Sequence, residues 1–200
     1  MGPRLKHKSL LIPALAFAMG LLFTGKAGYI HAKAHLAQYL IADAWDRTLA
    51  GERQVKPWPW ADTFPIARLS IEGHDDLFVL SGASGRNLAF GPVLFNTRHT
   101  PGQALSEGLL VMAGHRDTHF SVLEDLKSSA RVRLEDETGN WARYRVTGHQ
   151  IIDVTRQSLI ADEHTDALLL VTCWPFDAVS PGGPLRYVVT AVPDLKSGAG

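Results

Sequence analysis

From Thr63 onward the chain is a succession of short apolar runs, each of strand length and each closed by a turn signal. "IARLSI" and "DLFVLSG" are separated by Glu72-Gly73-His74-Asp75, a hairpin-like break. "GLLVMAG" (108–114) is uncharged, "RVRLED" and "WARYRVTGHQIIDV" flank the turn "ETGN", and "ALLLVTC" and "LRYVVTAV" come last. Helical signals are brief, "SVLEDLKS" after His119 and "TRQSLIAD" further on. Seven or eight short strands with few helices predict a mainly β fold, either a closed barrel or a sandwich. With 200 residues, 46% of them hydrophobic, one packed domain plus an appendage is expected.

The appendage lies at the N-terminus. "MGPRLKHKS" is basic, and no charge falls between Leu10 and Gly25. That apolar stretch is near the lower limit of the ~17–25 residues that span a bilayer, and it extends to Ile30 if Lys26 snorkels. Basic residues on its N-terminal side predict a cytoplasmic N-terminus and an exported body. The same stretch is of signal-peptide length, with Ala32-Lys33-Ala34 as a cleavage site, and in either reading the body leaves the cytoplasm. From His31 to about Gly51 the chain is rich in Ala and Leu, with Leu36, Leu40 and Ala44 four apart and Ile41, Trp45 and Leu49 likewise. This predicts a helix with a broad apolar face. His31 and His35, also four apart, are expected to face solvent. "VKPWPWADTFP" then places Pro57, Pro59 and Pro65 in a segment read as a linker, since proline suits neither a helix interior nor a central strand. The expected division is 1–30 for the basic tail and anchor, 31–61 for the helix and linker, and 62–200 for the β body.

Charge excludes one class of partner. Net charge is zero, but Arg4, Lys6, Lys8 and Lys26 meet no acid within the first thirty residues, so the remainder is mildly acidic. Such a body has no electrostatic footprint for nucleic acid. Cys173 is the single cysteine, so an exported chain of this kind forms no internal disulfide. Its thiol is either a small buried hydrophobe or a nucleophile.

Three residues favour the nucleophile. "GLLVMAG" delivers His115, "ALLLVT" delivers Cys173, and "PLRYVV" places Arg186 near the start of a third apolar run. Groups at the ends of adjacent buried strands are held more rigidly than groups on free loops. A free thiol is only a few per cent ionised near neutral pH and needs help to attack a carbonyl. An imidazole can exchange a proton with it and later protonate a leaving amine. A guanidinium does not deprotonate, so it serves as an oxyanion stabiliser rather than as a base. The set suits acyl transfer through a thioester.

Leu170-Val171-Thr172-Cys173, the small-Gly-His sequence in "AGHRDTHF", and Arg186 on the run after the cysteine together resemble the sortases, cysteine transpeptidases of bacterial surfaces. Leu169 stands where the family pattern T-L-x-T-C has its first threonine. The "HRDTHF" and "TCWPF" segments look most like the proteobacterial branch called class GN. The resemblance covers about residues 63–193, with an apolar helix where the family has its anchor. It implies a closed eight-stranded β-barrel with short helices behind an N-terminal membrane-anchor helix. It further implies a protein held in the inner membrane with its catalytic domain in the periplasm. Cys173, His115 and Arg186 would be catalytic, with Thr172, Trp174, His119 and Asp117 near the substrate. The implied partners are a secreted client with an LPXTG-like C-terminal signal and an amine acceptor, and the implied chemistry requires no cofactor.

Other readings attach to the same residues. A cysteine endopeptidase would use water in place of the amine, and a non-enzymatic β-domain would bury the thiol inertly. An L,D-transpeptidase would carry a Ser-x-Gly-Cys arrangement, which "LVTCWPF" lacks. His115 and His119 have the spacing of a zinc-protease helix, but Arg116 stands where that motif has its glutamate and the pair follows a strand. Trp174 and Phe176 are read as rim packing, and Asp117 and His119 as orienting His115 or bordering the pocket. Some sortases bind calcium; Glu135, Asp136 and Glu137 fall at a turn and are read as solvated charge rather than as such a site.

Overall fold

In the computed structural model, residues 8–95, 108–156, 166–180 and 182–194 are described. A single helix, α1, runs Lys8–Leu49, so the helix expected from His31 is the C-terminal part of a longer one. It is long and apolar enough to cross a membrane. Ile12, Leu15, Phe17, Leu22 and Phe23 all present their side chains outward. The chain divides between Tyr39 and Leu40 into two compact units. His31 and His35 are exposed.

The second unit is a closed barrel of eight strands. In chain order these are β1 (Pro65–Ile71), β2 (Leu77–Leu80), β3 (Val93–Leu94), β4 (Leu109–Ala113), β5 (Arg131–Glu135), β6 (Trp141–Asp153), β7 (Ala167–Cys173) and β8 (Leu185–Pro193). Around the barrel the order is β1-β2-β3-β4-β7-β8-β6-β5. The β1–β2 hairpin turns where expected, with Gly73 at φ +85° and His74 N–H donating to Ile71 O. At the "ETGN" turn, Asp136 accepts from the Thr138 and Asn140 backbone N–H groups, and Gly139 takes φ +82°. "SVLEDLKS" forms only a 3-10 turn at Ser121–Leu123, and the helix expected over 155–162 lies almost wholly outside the described residues.

Alternation along the strands sorts the side chains. Leu110, Met112, Leu168, Leu170, Tyr187, Val189 and Ala191 point into the barrel and join its main core with Phe120, Val132 and Leu134. Their odd-even partners Leu109, Val111, Leu169, Val171 and Val188 form a second apolar cluster with Ile152 on the outer face of β4, β7 and β8. Ala167–Leu170 is therefore buried on both sides of the sheet, as the continuous apolar run predicts.

Two regions depart from expectation. The linker is packed, not loose: Val55, Ala61 and Thr63 are buried, and Trp58 meets Phe90 edge to face at 5.1 Å beside Ile41, Leu80 and Val93. Both helical rows are buried in part: Ile41 and Trp45 of one and Ala44 of the other are covered, whereas Leu36 and Leu49 remain exposed. The second departure is Glu135, which is buried and not solvated. It accepts hydrogen bonds from Trp45 Nε1 (3.2 Å) and Arg68 Nε (2.7 Å), contacts that only the closed barrel and docked helix end create.

Candidate active site

β4 and β7 run parallel in register from Leu109↔Ala167 to Ala113↔Val171, and β7 and β8 run antiparallel with Cys173 directly opposite Arg186. Cross-strand partners in an antiparallel pair lie roughly 4.5–5.5 Å apart at their Cα atoms. Cys173 shares the outward set of Leu169 and Val171, and Arg186 that of Val188, so thiol and guanidinium project from the same outer face. The β4–β7 ladder continues one residue past β4, with Gly114 N–H donating to Val171 O at 3.1 Å. His115 thus leaves the sheet beside the Cys173 end of β7. The three residues share one end of three adjacent strands.

Local packing explains why the chain turns there. A Cβ on Gly114 would lie 2.7 Å from the Phe120 ring, so only glycine lets that buried ring tuck beneath the His115 turn. Phe120 N–H donates to His115 O at 3.0 Å and closes the turn. Thr172 Oγ1 donates to Gly114 O at 2.7 Å, tying the end of β7 to the same turn. Thr172 is 2% exposed, so its hydroxyl serves the scaffold and does not face outward.

Each candidate group has a distinct setting. Cys173 is free and half-buried. His115 is exposed, and His119 is partly so, its Nδ1 sharing a 3.2 Å hydrogen bond with Thr118 Oγ1. Burial, and secondarily the neighbouring His115 charge, push the His119 pKa down and favour the neutral ring. Arg186 Nη1 donates to Gly183 O (2.6 Å) and Leu185 O (2.9 Å), which among the described residues leaves most of the guanidinium's donors open. Trp174 stacks on Tyr187 at 5.5 Å, with Phe176 edge-on to both, and these rings pack against the interior core. They close the barrel's end beneath Cys173. Asp117 is exposed and pairs with Arg116 Nε at 3.1 Å; it makes no hydrogen bond to His115. Among the described residues, no group of three or more His, Cys, Asp or Glu is arranged to hold a metal ion.

Arg116 is the residue that sequence reasoning passed over. It is 7% exposed, and its Nη1 and Nη2 donate to Pro175 O (2.7 Å) and Ala178 O (2.6 Å), on the loop that follows Cys173. Its position directly after His115 was the only sequence signal, and nothing there reveals a partner some sixty residues away.

A thiol, an imidazole and a guanidinium gathered at one end of three adjacent strands are the parts for acyl transfer. Comparison with known proteins points to one family. The Sortase domain model matches residues 69–194. Sortase D of Bacillus subtilis (strain 168) is 29% identical over 115 residues, which is 57% of this chain and 56% of that protein. Sortase A from Corynebacterium diphtheriae superposes with a TM-score of 0.57 at 24% identity, covering 70% of this chain and 66% of that one. A sortase D5 transpeptidase from Clostridium perfringens superposes at 0.53 with 19% identity, covering 76% and 88%. These structural likenesses establish the fold. The chain thus spans little more than half the length of its Bacillus relative, but the domain match covers most of the barrel, and the chain belongs to the sortase family.

Proposed function

We propose that the protein is a membrane-anchored cysteine transpeptidase that cleaves an LPXTG-like signal near the C-terminus of a secreted client. The Cys173 thiolate attacks the carbonyl of a threonine-like residue, and the oxyanion is held by Arg186. The C–N bond then breaks as His115 protonates the departing amine, leaving a thioester on Cys173. An incoming amine attacks that thioester and loses its proton to His115, and the C–S bond breaks to release the Cys173 thiolate beside a reprotonated imidazole. One amide is exchanged for another, so the reaction requires neither ATP nor a metal or organic cofactor. The observation that carries this reading is the register of Cys173 against Arg186, with His115 beside them on the same end of the sheet. His119 and Asp117 border the peptide, and Trp174 supports Cys173 from below.

The N-terminal helix anchors the chain in the inner membrane, its basic end in the cytoplasm and the barrel in the periplasm. The "HRDTHF" and "TCWPF" segments favour the class GN branch over the other sortases. Incubating the full chain with an LPXTG-type peptide, with and without a nucleophilic amine, tests the reading by product mass. Amide exchange in the presence of the amine, abolished in Cys173→Ala without loss of melting temperature, is the expected result. Hydrolysis that no amine diverts would mark an endopeptidase, and turnover by purified Cys173→Ala would exclude the thioester.

A further inference from the structure

We propose that Arg116 is a positioning residue that sets the separation of the His115 imidazole and the Cys173 thiol, an inference resting on the catalytic reading above. Cys173 is the last residue of β7 and His115 stands on the turn just past β4, and the bonds between the two segments fall on either side of them. On the strand side, Thr172 Oγ1 donates to Gly114 O at 2.7 Å, which joins the residue before Cys173 to the residue before His115. On the loop side, Arg116, the residue after His115, donates from Nη1 to Pro175 O at 2.7 Å and from Nη2 to Ala178 O at 2.6 Å. The same two carbonyls bound the turn closed by Ala178 N–H to Pro175 O.

Cys173 and His115 are therefore bracketed, front and back, by cross-loop hydrogen bonds. Arg116 is 7% exposed, its only carboxylate partner among the described residues is the exposed Asp117 at Nε, and both of its terminal nitrogens donate to backbone carbonyls. A charge this deeply enclosed, placed on two main-chain oxygens of one loop, acts as a brace. Its planar fork reaches both carbonyls in a fixed geometry that a single ammonium cannot reproduce. Thiol and imidazole must meet within hydrogen-bond reach, and a misplacement of about 1 Å can cost roughly 100-fold in rate.

The unique thiol gives a test that needs no peptide substrate. Alkylation of Cys173 by iodoacetamide is followed against pH in wild type, His115→Gln, Arg116→Gln and Arg116→Lys, well below each melting temperature. If Arg116 sets the coupling of thiol to imidazole, the Arg116→Gln profile collapses onto that of His115→Gln, and Arg116→Lys falls between it and wild type. In peptide turnover, kcat drops about 10- to 100-fold while KM changes only a few-fold. Glu135→Gln, which weakens a buried pair on the opposite wall, keeps the wild-type alkylation profile and controls for lost stability. Arg116→Gln and Arg116→Lys profiles identical to wild type would overturn the inference, as would a wild-type profile already identical to that of His115→Gln. If Arg116→Gln does not fold, the Arg116→Lys profile decides alone. A protein that ignores every sorting peptide but shows the expected alkylation pattern would refute the substrate reading and leave the brace standing.

Discussion

The β1–β5 wall and the β4–β7–β8 end both carry arginine, aromatic rings and a buried polar group, yet they use them in opposite ways. At the first, Glu135 is answered by Trp45 Nε1 and Arg68 Nε, and Arg68 and Arg133 both lie over the Trp141 ring, at 5.1 and 5.0 Å from its centroid. Arg68 also approaches Asp76 at 3.8 Å. At the second, His115 is exposed, Cys173 is half-buried and free, and among the described residues Arg186 donates to the nearby carbonyls of Gly183 and Leu185 alone. Buried polar groups with complete sets of partners hold a structure, because breaking any one leaves the others desolvated and unpaired. Groups that must act on a substrate keep donors open, and their rigidity has to come from neighbours such as Thr172, Phe120 and Arg116.

The sharpest way to break this contrast is to make the same substitution at both places. Arg186→Lys keeps the charge and loses the aim of the fork, so kcat is expected to fall by about 10²–10³, as for a lost oxyanion donor, with melting temperature hardly changed. Arg68→Lys is expected to do the reverse, lowering melting temperature with turnover per folded molecule intact. Steady-state kinetics and thermal melts on both variants decide; a stability loss without a kinetic effect at Arg186 would make it a structural residue like Arg68.

A smaller effect is expected at Glu135. Glu135→Ala strands the Trp45 N–H and removes the nearer of two carboxylates from Arg68, whose side chain is 31% exposed. The expected loss is ~2–3 kcal/mol, less than the roughly 3–5 kcal/mol of a fully buried pair, because water reaches Arg68. Denaturant titration measures it, and no loss would mean that the saturated wall contributes nothing to stability.

The smallest effect concerns pH. His119 has a folded-state pKa below its ordinary value of 6.5, so the unfolded chain takes up a proton at this residue more readily than the folded one. Its neutral form is favoured throughout the range above 6.5, and stability is lost as pH falls from there through the lowered folded value. Measured by melting temperature across that range, His119→Asn should show a shallower acid decline than wild type. Equal slopes would place the His119 ring in water.

Much of this arrangement was legible before any coordinates. Strand-length runs with turn signals between them marked every strand but β3, whose two residues Val93 and Leu94 pair with neighbours on both sides without any local signature. The continuous run through Leu168–Leu170 announced a strand covered on both faces, and the thiol at its end marked the candidate site. Pattern alone left barrel and sandwich open, since strand periodicity is the same in both. Thr172 read as a substrate neighbour from its place beside Cys173, yet strand alternation turns it inward onto Gly114 O.

Residue type and short-range spacing determined by themselves the presence of every strand but β3, the apolar N-terminal helix and the inventory of thiol, imidazole and guanidinium, because these depend on neighbours within a few positions. Tertiary structure alone decided that Cys173 faces Arg186, that the proline-rich segment packs on the barrel, that Glu135 is buried against Trp45, and that Arg116 reaches Pro175 and Ala178. Each of those joins residues far apart in the chain. Their register and closure are set by the pairing of whole strands and the filling of a shared core, which no local window contains.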